Sequence, residues 1–416
     1  MQTNYWASHW PAEDGGAERQ QVAGSILLGD ATLTSKLAIA STMVVFRNPG
    51  ELYLLCHTGG DDGISWVEQL DALTLETIRR SVDMPGGLTW PGGMAVHANG
   101  SIYVVFGQHA HRLSPTLEIE AHQELPQRAP YNSFVVLRDG TLVTKNFGGA
   151  RPGMDTHFEA ASCELVALHP DDLRILDRYE VGQGSVARLS AHDQTTYVVG
   201  VESFMGIDFV DGAFVPTSVK QAPYRTAGEG YGWDAVIADG SAWFLNNGAG
   251  SETFDGSLLE KGIATAPQQI VRVHLDSYVV EKYEVNDAPG GIVANPPAVD
   301  TNQKIVVGYD SAAGVVRAYH YAATGGTLLW QIKLNHACHP LVFPESDLVM
   351  LNDFDPLLGA DQIVLVRTST GEIVSRVATE SPLQSVLFGA PGEANDLYLC
   401  SFTHVTRLQF QGNAST

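Results

Sequence analysis

Short apolar runs recur along this chain in pairs, each pair split by a tight polar turn and followed by a small or polar residue. The clearest copies join residues 94–97 to 102–106 through Asn99-Gly100, 134–137 to 142–144 through Asp139-Gly140, and 235–238 to 242–245 through Asp239-Gly240. Asn-Gly and Asp-Gly between apolar runs are strong hairpin signals, because both turn positions take a positive φ that these residues tolerate. Five weaker copies turn at Asn48-Pro49-Gly50, Asp193-Gln194, Asn302-Gln303, Ser346-Asp347 and Asn395-Asp396. Seven steps from Gly50 to Asn395 give a period of about 49 residues, in the range of propeller blades. A second strand pair follows each copy, for example residues 164–168 and 175–181. The unit therefore has four strands, as a blade does.

The pattern predicts an all-β chain forming one β-propeller domain over residues 1–416. It has about eight four-stranded blades, or seven if one weak copy is an insertion. The last copy shows only three strands, at 385–388, 397–400 and 405–410. Residues 25–29 are expected to supply its missing outer strand, closing the ring and covering a sheet edge. Residues 1–23 then form an N-terminal extension leading to that closing strand.

Composition narrows the classes of partner. With 44% hydrophobic and 17% charged residues the chain can bury a large core, which argues against disorder. The 47 acidic residues outnumber the 24 Lys and Arg, for a formal charge of −23. Such a surface repels phosphate backbones and anionic lipid, so neither nucleic acid nor a membrane is an expected partner. A small-molecule ligand is expected, with a protein partner as the alternative. No apolar run approaches the roughly 18 residues of a membrane span, and the four cysteines form no Cys-x-x-Cys pair. Scattered thiols of this kind fit a reducing, cytoplasmic setting.

The stretch Ala323-Thr324-Gly325-Gly326-Thr327-Leu328-Leu329-Trp330 resembles the Thr-Gly-Lys-x-x-x-Trp outer hairpin of quinoprotein-like propellers, and Thr370-Gly371-Glu372 repeats its turn without the Trp. The resemblance implies the superfold. Quinone-using members often carry a vicinal Cys pair, which this sequence lacks, so a pyrroloquinoline quinone dehydrogenase is disfavoured.

In a propeller the loop leaving the second strand of each blade meets the loop entering its first strand at one mouth of the channel. Here those loops carry Asn, Asp and His. Asn146, Asn246, Asn295 and Asp310 are the residue types calcium favours, giving a candidate divalent-cation site. The pattern is loosely similar to the metal mouth of gluconolactonase, paraoxonase and strictosidine synthase propellers, where an Asn recurs at the strand entrance. His336 and His339, with Asp353 one strand away, form a candidate catalytic set in which an imidazole acts as general base and Asp353 orients it. Lys145 and Arg151, cations in an acidic chain, are candidates to bind a substrate carboxylate, beside Trp233 and Asn132. Each Asn or Asp could equally end its strand by bonding local backbone.

These features point to a small-molecule enzyme, a metal-assisted hydrolase or lyase acting on a polar or acidic substrate at the propeller mouth. The alternative is a non-catalytic propeller that presents a face to another macromolecule. Walker, dinucleotide-binding, Gly-x-Ser-x-Gly and His-Glu-x-x-His motifs are absent from the sequence.

Overall fold

In the computed structural model, residues 4–38, 41–88, 90–147, 162–251, 257–382, 384 and 388–412 are described. Arg151 lies outside them. The chain forms eight antiparallel sheets arranged as the blades of one propeller. Blade 2 shows the unit plainly: Gly93–Val96 innermost, then Ile102–Phe106, His109–Leu113 and Ile119–Glu124. All eight turns read from the sequence join the first and second strands of a blade. Asp139, Asp193, Asp239, Asp347 and Asn395 stand beside or within these turns, and all but Asp139 take positive φ.

The ring closes as expected, with one shift in position. Blade 8 consists of Phe388–Pro391, Asp396–Cys400 and His404–Gly412, and its outer strand is the N-terminal Gly29–Leu37. The closing strand therefore starts where residues 25–29 were expected to end. Ser25 to Leu28 instead lead into it, with Ile26 N donating to Ser346 Oγ and Leu27 N to Asn395 Oδ1. The true strand, GDATLTSKL, is mostly exposed or half-buried, so it carries no apolar run.

Apolar packing lies between blades rather than on the axis. Val45, Leu55, Val96 and Val104 fill the seam between blades 1 and 2, and Tyr103, Val136 and Val166 fill the next. Alternating side chains on each strand face opposite neighbours, so every central strand contributes to two seams. At the rim, Trp330 Nε1 donates to Thr368 O of the following blade at 2.8 Å. The indole lies over Gly371, whose φ is +77° and where a Cβ would come within 2.7 Å of the ring. No described helix is long and apolar enough to cross a membrane.

Candidate functional site

The axis of the ring is polar. The N-terminal segment, residues 4–23, runs across the hairpin-turn end of the channel as a strap and bonds the inner strands of one blade after another. Trp6 N donates to Val96 O, Phe46 N to Trp10 O, Ala191 N to Ala17 O, Ile237 N to Glu18 O and Val342 N to Gln21 O. Its central turn, Glu13-Asp14-Gly15-Gly16, drops into the channel and meets residues arriving from the strand-entrance side.

Six ionisable side chains converge there, all buried: Glu13, Asp14, Arg19, Arg188, Asp234 and His339. Arg19 Nη2 donates to Glu13 at 3.0 Å, to Asp234 at 3.0 Å and to Asp14. Arg188 Nη1 donates to Glu13 at 2.8 Å and to the carbonyls of Gly92 and Asn132, while its backbone N–H donates to Asp234 Oδ1 at 2.6 Å. His339 Nδ1 lies 3.0 and 3.1 Å from the two oxygens of Asp14. Burial alone would raise the Asp14 pKa, but Arg19, His339 and Arg188 together hold it below the ordinary carboxylate value. Three carboxylates face two guanidiniums, so protonated His339 makes the cluster neutral and neutral His339 leaves one negative charge.

Beside this cluster the strap encloses a cleft of about 890 Å³, lined among others by Asn4, His9, Asp14, Arg19, Gln21 and Arg138. Two polar groups in its wall lack partners: Arg19 Nε and both amide atoms of the fully buried Gln21. Asp14, Arg19 and Gln21 also take φ of 53°, 54° and 57°. Positive φ at non-glycine residues is uncommon, and such strain concentrates where geometry serves a ligand or a reaction.

The residues expected from the sequence fall into three groups. His339 joins the axial cluster, and Asn132 lends it a backbone carbonyl. Lys145, wholly buried, donates to Ser185 O at 2.9 Å; burial lowers its pKa to about 8, with Cys163 and Asp234 opposing. The second group caps strands. Asn146 Oδ1 accepts from Glu164 N, and Asn246 Oδ1 from Gln269 N and Gln268 Nε2. Asn295 Nδ2 donates to Ala337 O, and Asp310 accepts from Ile292 N, Ala312 N, Ala313 N and Asn286 Nδ2.

The third group is dispersed. His336 packs edge-on against Tyr309, and its Nδ1 accepts from Asn352 N, while burial lowers its pKa to about 3. Asp353 accepts from Asn335 N and pairs with Arg376 at 2.5 Å. His336, His339 and Asp353 thus take different partners. Trp233 lies near Tyr231 and against Gly248, in the loop between the second and third strands of blade 5. Further along the chain, Leu258 N donates to Gln384 Oε1 of blade 8 at 2.6 Å.

Glu13, Asp14 and His339 are the one set of metal-type ligands among the described residues whose donor atoms lie within 4.8 Å of one another. Arg19 and Arg188 already occupy the cationic position beside them, so this donor set fits a divalent ion poorly. The strap residues Glu13, Asp14, Arg19 and Gln21 escaped the sequence reading because no apolar period runs through residues 1–23. The available signal was an acidic pair before Gly-Gly, followed by an Arg in a cation-poor chain.

No protein-family model matches the chain, and no curated protein matches its sequence. Solved structures do match over nearly the whole length. The quinohemoprotein alcohol dehydrogenase of Comamonas testosteroni aligns with TM-score 0.65 at 11% identity, over 99% of this chain and 82% of that one. BamB from Moraxella catarrhalis aligns with TM-score 0.60 at 14% identity, over 93% and 100%. The Dos1 propeller aligns with TM-score 0.60 at 9% identity, over 93% and 96%. At these identities the likeness establishes the fold, a quinoprotein-like eight-bladed propeller, and nothing about activity.

Proposed function

We propose that this propeller binds a small polar molecule in the cleft beneath its N-terminal strap and acts on it by acid–base chemistry, as a hydrolase or lyase does. The observation that carries this reading is the pairing of a strained strap with unpartnered polar groups in the cleft wall. A purely structural plug is more stable with apolar residues, since buried charges rarely repay their desolvation. An unbonded buried amide costs about 1–3 kcal/mol. Gln21 carries such an amide, and a ligand with one donor and one acceptor would satisfy it.

Asp14 is the group that would touch the ligand. Held ionised, it is a weak base but a firm acceptor for a ligand hydroxyl or ammonium group. His339 behind it, donating from Nδ1, has Nε2 left to take or give a proton. Three carboxylates against two guanidiniums favour a cationic or donor-rich ligand. The calcium-assisted version of the chemistry is a separate proposal, resting on residue types alone.

The test is a screen of small lactones, esters, amides and hydroxy acids by thermal shift, followed by mass spectrometry for turnover. Hits should lose turnover in Asp14→Asn and His339→Gln with the fold intact by circular dichroism. Hits that bind and react equally in both variants would remove the cleft from the reaction.

A protein-binding role is the second reading. It is favoured by Leu357 and Leu358, 96% and 63% exposed at the tip of a blade 7 hairpin. Two adjacent exposed leucines on one hairpin tip would offer a partner an apolar anchor. Leu357→Ser should abolish any such association without touching the cleft, as sedimentation with a captured partner would read.

A further inference from the structure

A second cluster lies far from the axis, on the outer half of blade 2, and the chemistry described above does not use it. His109 and His111 are two residues apart on the strand His109–Leu113, so their side chains share a face. His122 on the outermost strand pairs in register with His111, and Glu124 with His109. His122 stacks on both other imidazoles, although the donor atoms of all three do not yet lie within 4.8 Å of one another. His109 Nδ1 lies 2.9 Å from His122 Nε2, and the His111 ring stacks on His122 with centroids 4.7 Å apart. His109 and His111 rings are 6.3 Å apart.

His111 is buried with neither ring nitrogen hydrogen-bonded. Its two ring nitrogens are thus uncommitted, and a neutral imidazole is the form that ligates. Exposure grows outward from buried His111 through half-buried His109 to exposed His122. The cluster thus opens on solvent, which gives an ion a route in.

We propose that His109, His111 and His122 form a binding site for a transition-metal ion that prefers imidazole, of which Zn²⁺ is the natural case, tying the two outer strands of blade 2 together. Tetrahedral zinc with bonds of about 2.0–2.1 Å sets its nitrogen ligands roughly 3.4 Å apart. The His109–His122 pair needs to open by about half an ångström to reach that spacing. Their shared proton then moves to the other nitrogen of its own ring, and both imidazoles stay neutral. His111 turns toward the pair and has no hydrogen bond to give up. Glu124, which accepts from Gln108 Nε2 at 2.7 Å, stands opposite His109 as a fourth donor or as the partner of an imidazole N–H.

The test uses the full, tag-free chain and Zn²⁺ itself, titrated in competition with a chromogenic chelator, with Co²⁺ absorption as a second readout. The expected result is one equivalent bound, weakened about tenfold or more by His122→Ala and by His109→Ala. His169→Ala, at a separate surface position, should leave it unchanged. His122 is exposed, so its variant folds and keeps the test decisive. Failure of the wild-type chain to compete with the chelator would overturn the proposal. So would binding kept in His122→Ala but lost in His339→Gln, which would assign the ion to the axial cluster.

Discussion

The two ends of the channel differ in backbone strain more than in bonding. At the strand-entrance end, Asn146, Asn246 and Asp310 each accept from backbone N–H groups that the turning chain leaves free. Asn132 Oδ1, His336 Nε2 and Gln384 Nε2 stay buried without partners there, as Gln21 and Arg19 Nε do at the hairpin-turn end, where three non-glycine residues of the strap also hold positive φ. The first end looked more like a site in sequence, because residue types converge on it. Convergence follows from strand ends needing caps in every blade. Unmet bonding capacity joined to backbone strain is the better pointer to a ligand, since folding alone gives no reason to keep both.

The comparison breaks hardest at Arg19. Arg19→Met removes the cation shared by Glu13, Asp14 and Asp234, leaving buried charge uncompensated. The expected loss is about 3–5 kcal/mol, the range for breaking a buried ion pair. Urea unfolding measures it, and limited proteolysis should show the strap cut first. A loss below about 1 kcal/mol would mean that the strap is not anchored by its charges.

At the other end Asn246→Ala should destabilise by about 1–3 kcal/mol, because Gln269 N loses its acceptor while Gln268 Nε2 keeps only the backbone carbonyl of residue 246. This variant also sharpens the calcium question. Calorimetry that finds Ca²⁺ binding in the wild type and its loss in Asn246→Ala would make Asn246 a ligand as well as a cap.

Protonation separates the ends by pH. Burial lowers His336 to about 3 and His57 to about 4, and both stand at the strand-entrance end. Below pH 6.5 the unfolded chain binds protons there that the folded chain refuses, so stability falls as pH falls from that value. Each histidine contributes a slope of up to about 1.4 kcal/mol per pH unit down to its folded pKa. Asp14 at the strap end has a lowered pKa, so its contribution is complete above about pH 3.8 and is lost only below. The buried Asp361, raised well above its ordinary value, acts in the opposite sense to the histidines, which makes a difference measurement necessary. His336→Gln should flatten the stability slope between pH 6 and 4 by one proton relative to wild type, as urea titrations at several pH values would show. An unchanged slope would mean that His336 is protonated in the folded chain.

Much of the fold was legible because the blade repeats. One Asn-Gly or Asp-Gly hairpin is a weak hint, but eight turns at a common spacing select a ring, and each of them is a real turn. The closing strand was placed too early because Ile26, Leu27 and Leu28 form an apolar run, whereas Gly29–Leu37 lies on the rim with little to bury. His339 was readable from its position at a strand entrance. Its partner Asp14 was not, since the pair is 325 residues apart in sequence and nothing local marks the contact. The histidines of blade 2 form no local motif, being spread over positions 109, 111 and 122. Only the strand register sets His122 against His111.

Gln21 provides the smallest and most discriminating test. The residue borders the cleft, and its buried amide has neither atom hydrogen-bonded. Met has similar length and flexibility and no polar group to desolvate. Gln21→Met should therefore leave the unliganded protein as stable as wild type or stabilise it by about 1 kcal/mol. The same change should weaken any ligand found for the cleft, because a bond the ligand makes to the amide is gone. Paired thermal melts with and without that ligand measure both effects on one sample. A clear destabilisation would show that the amide is bonded in the folded protein, and the contrast between the two ends would then rest on backbone strain alone.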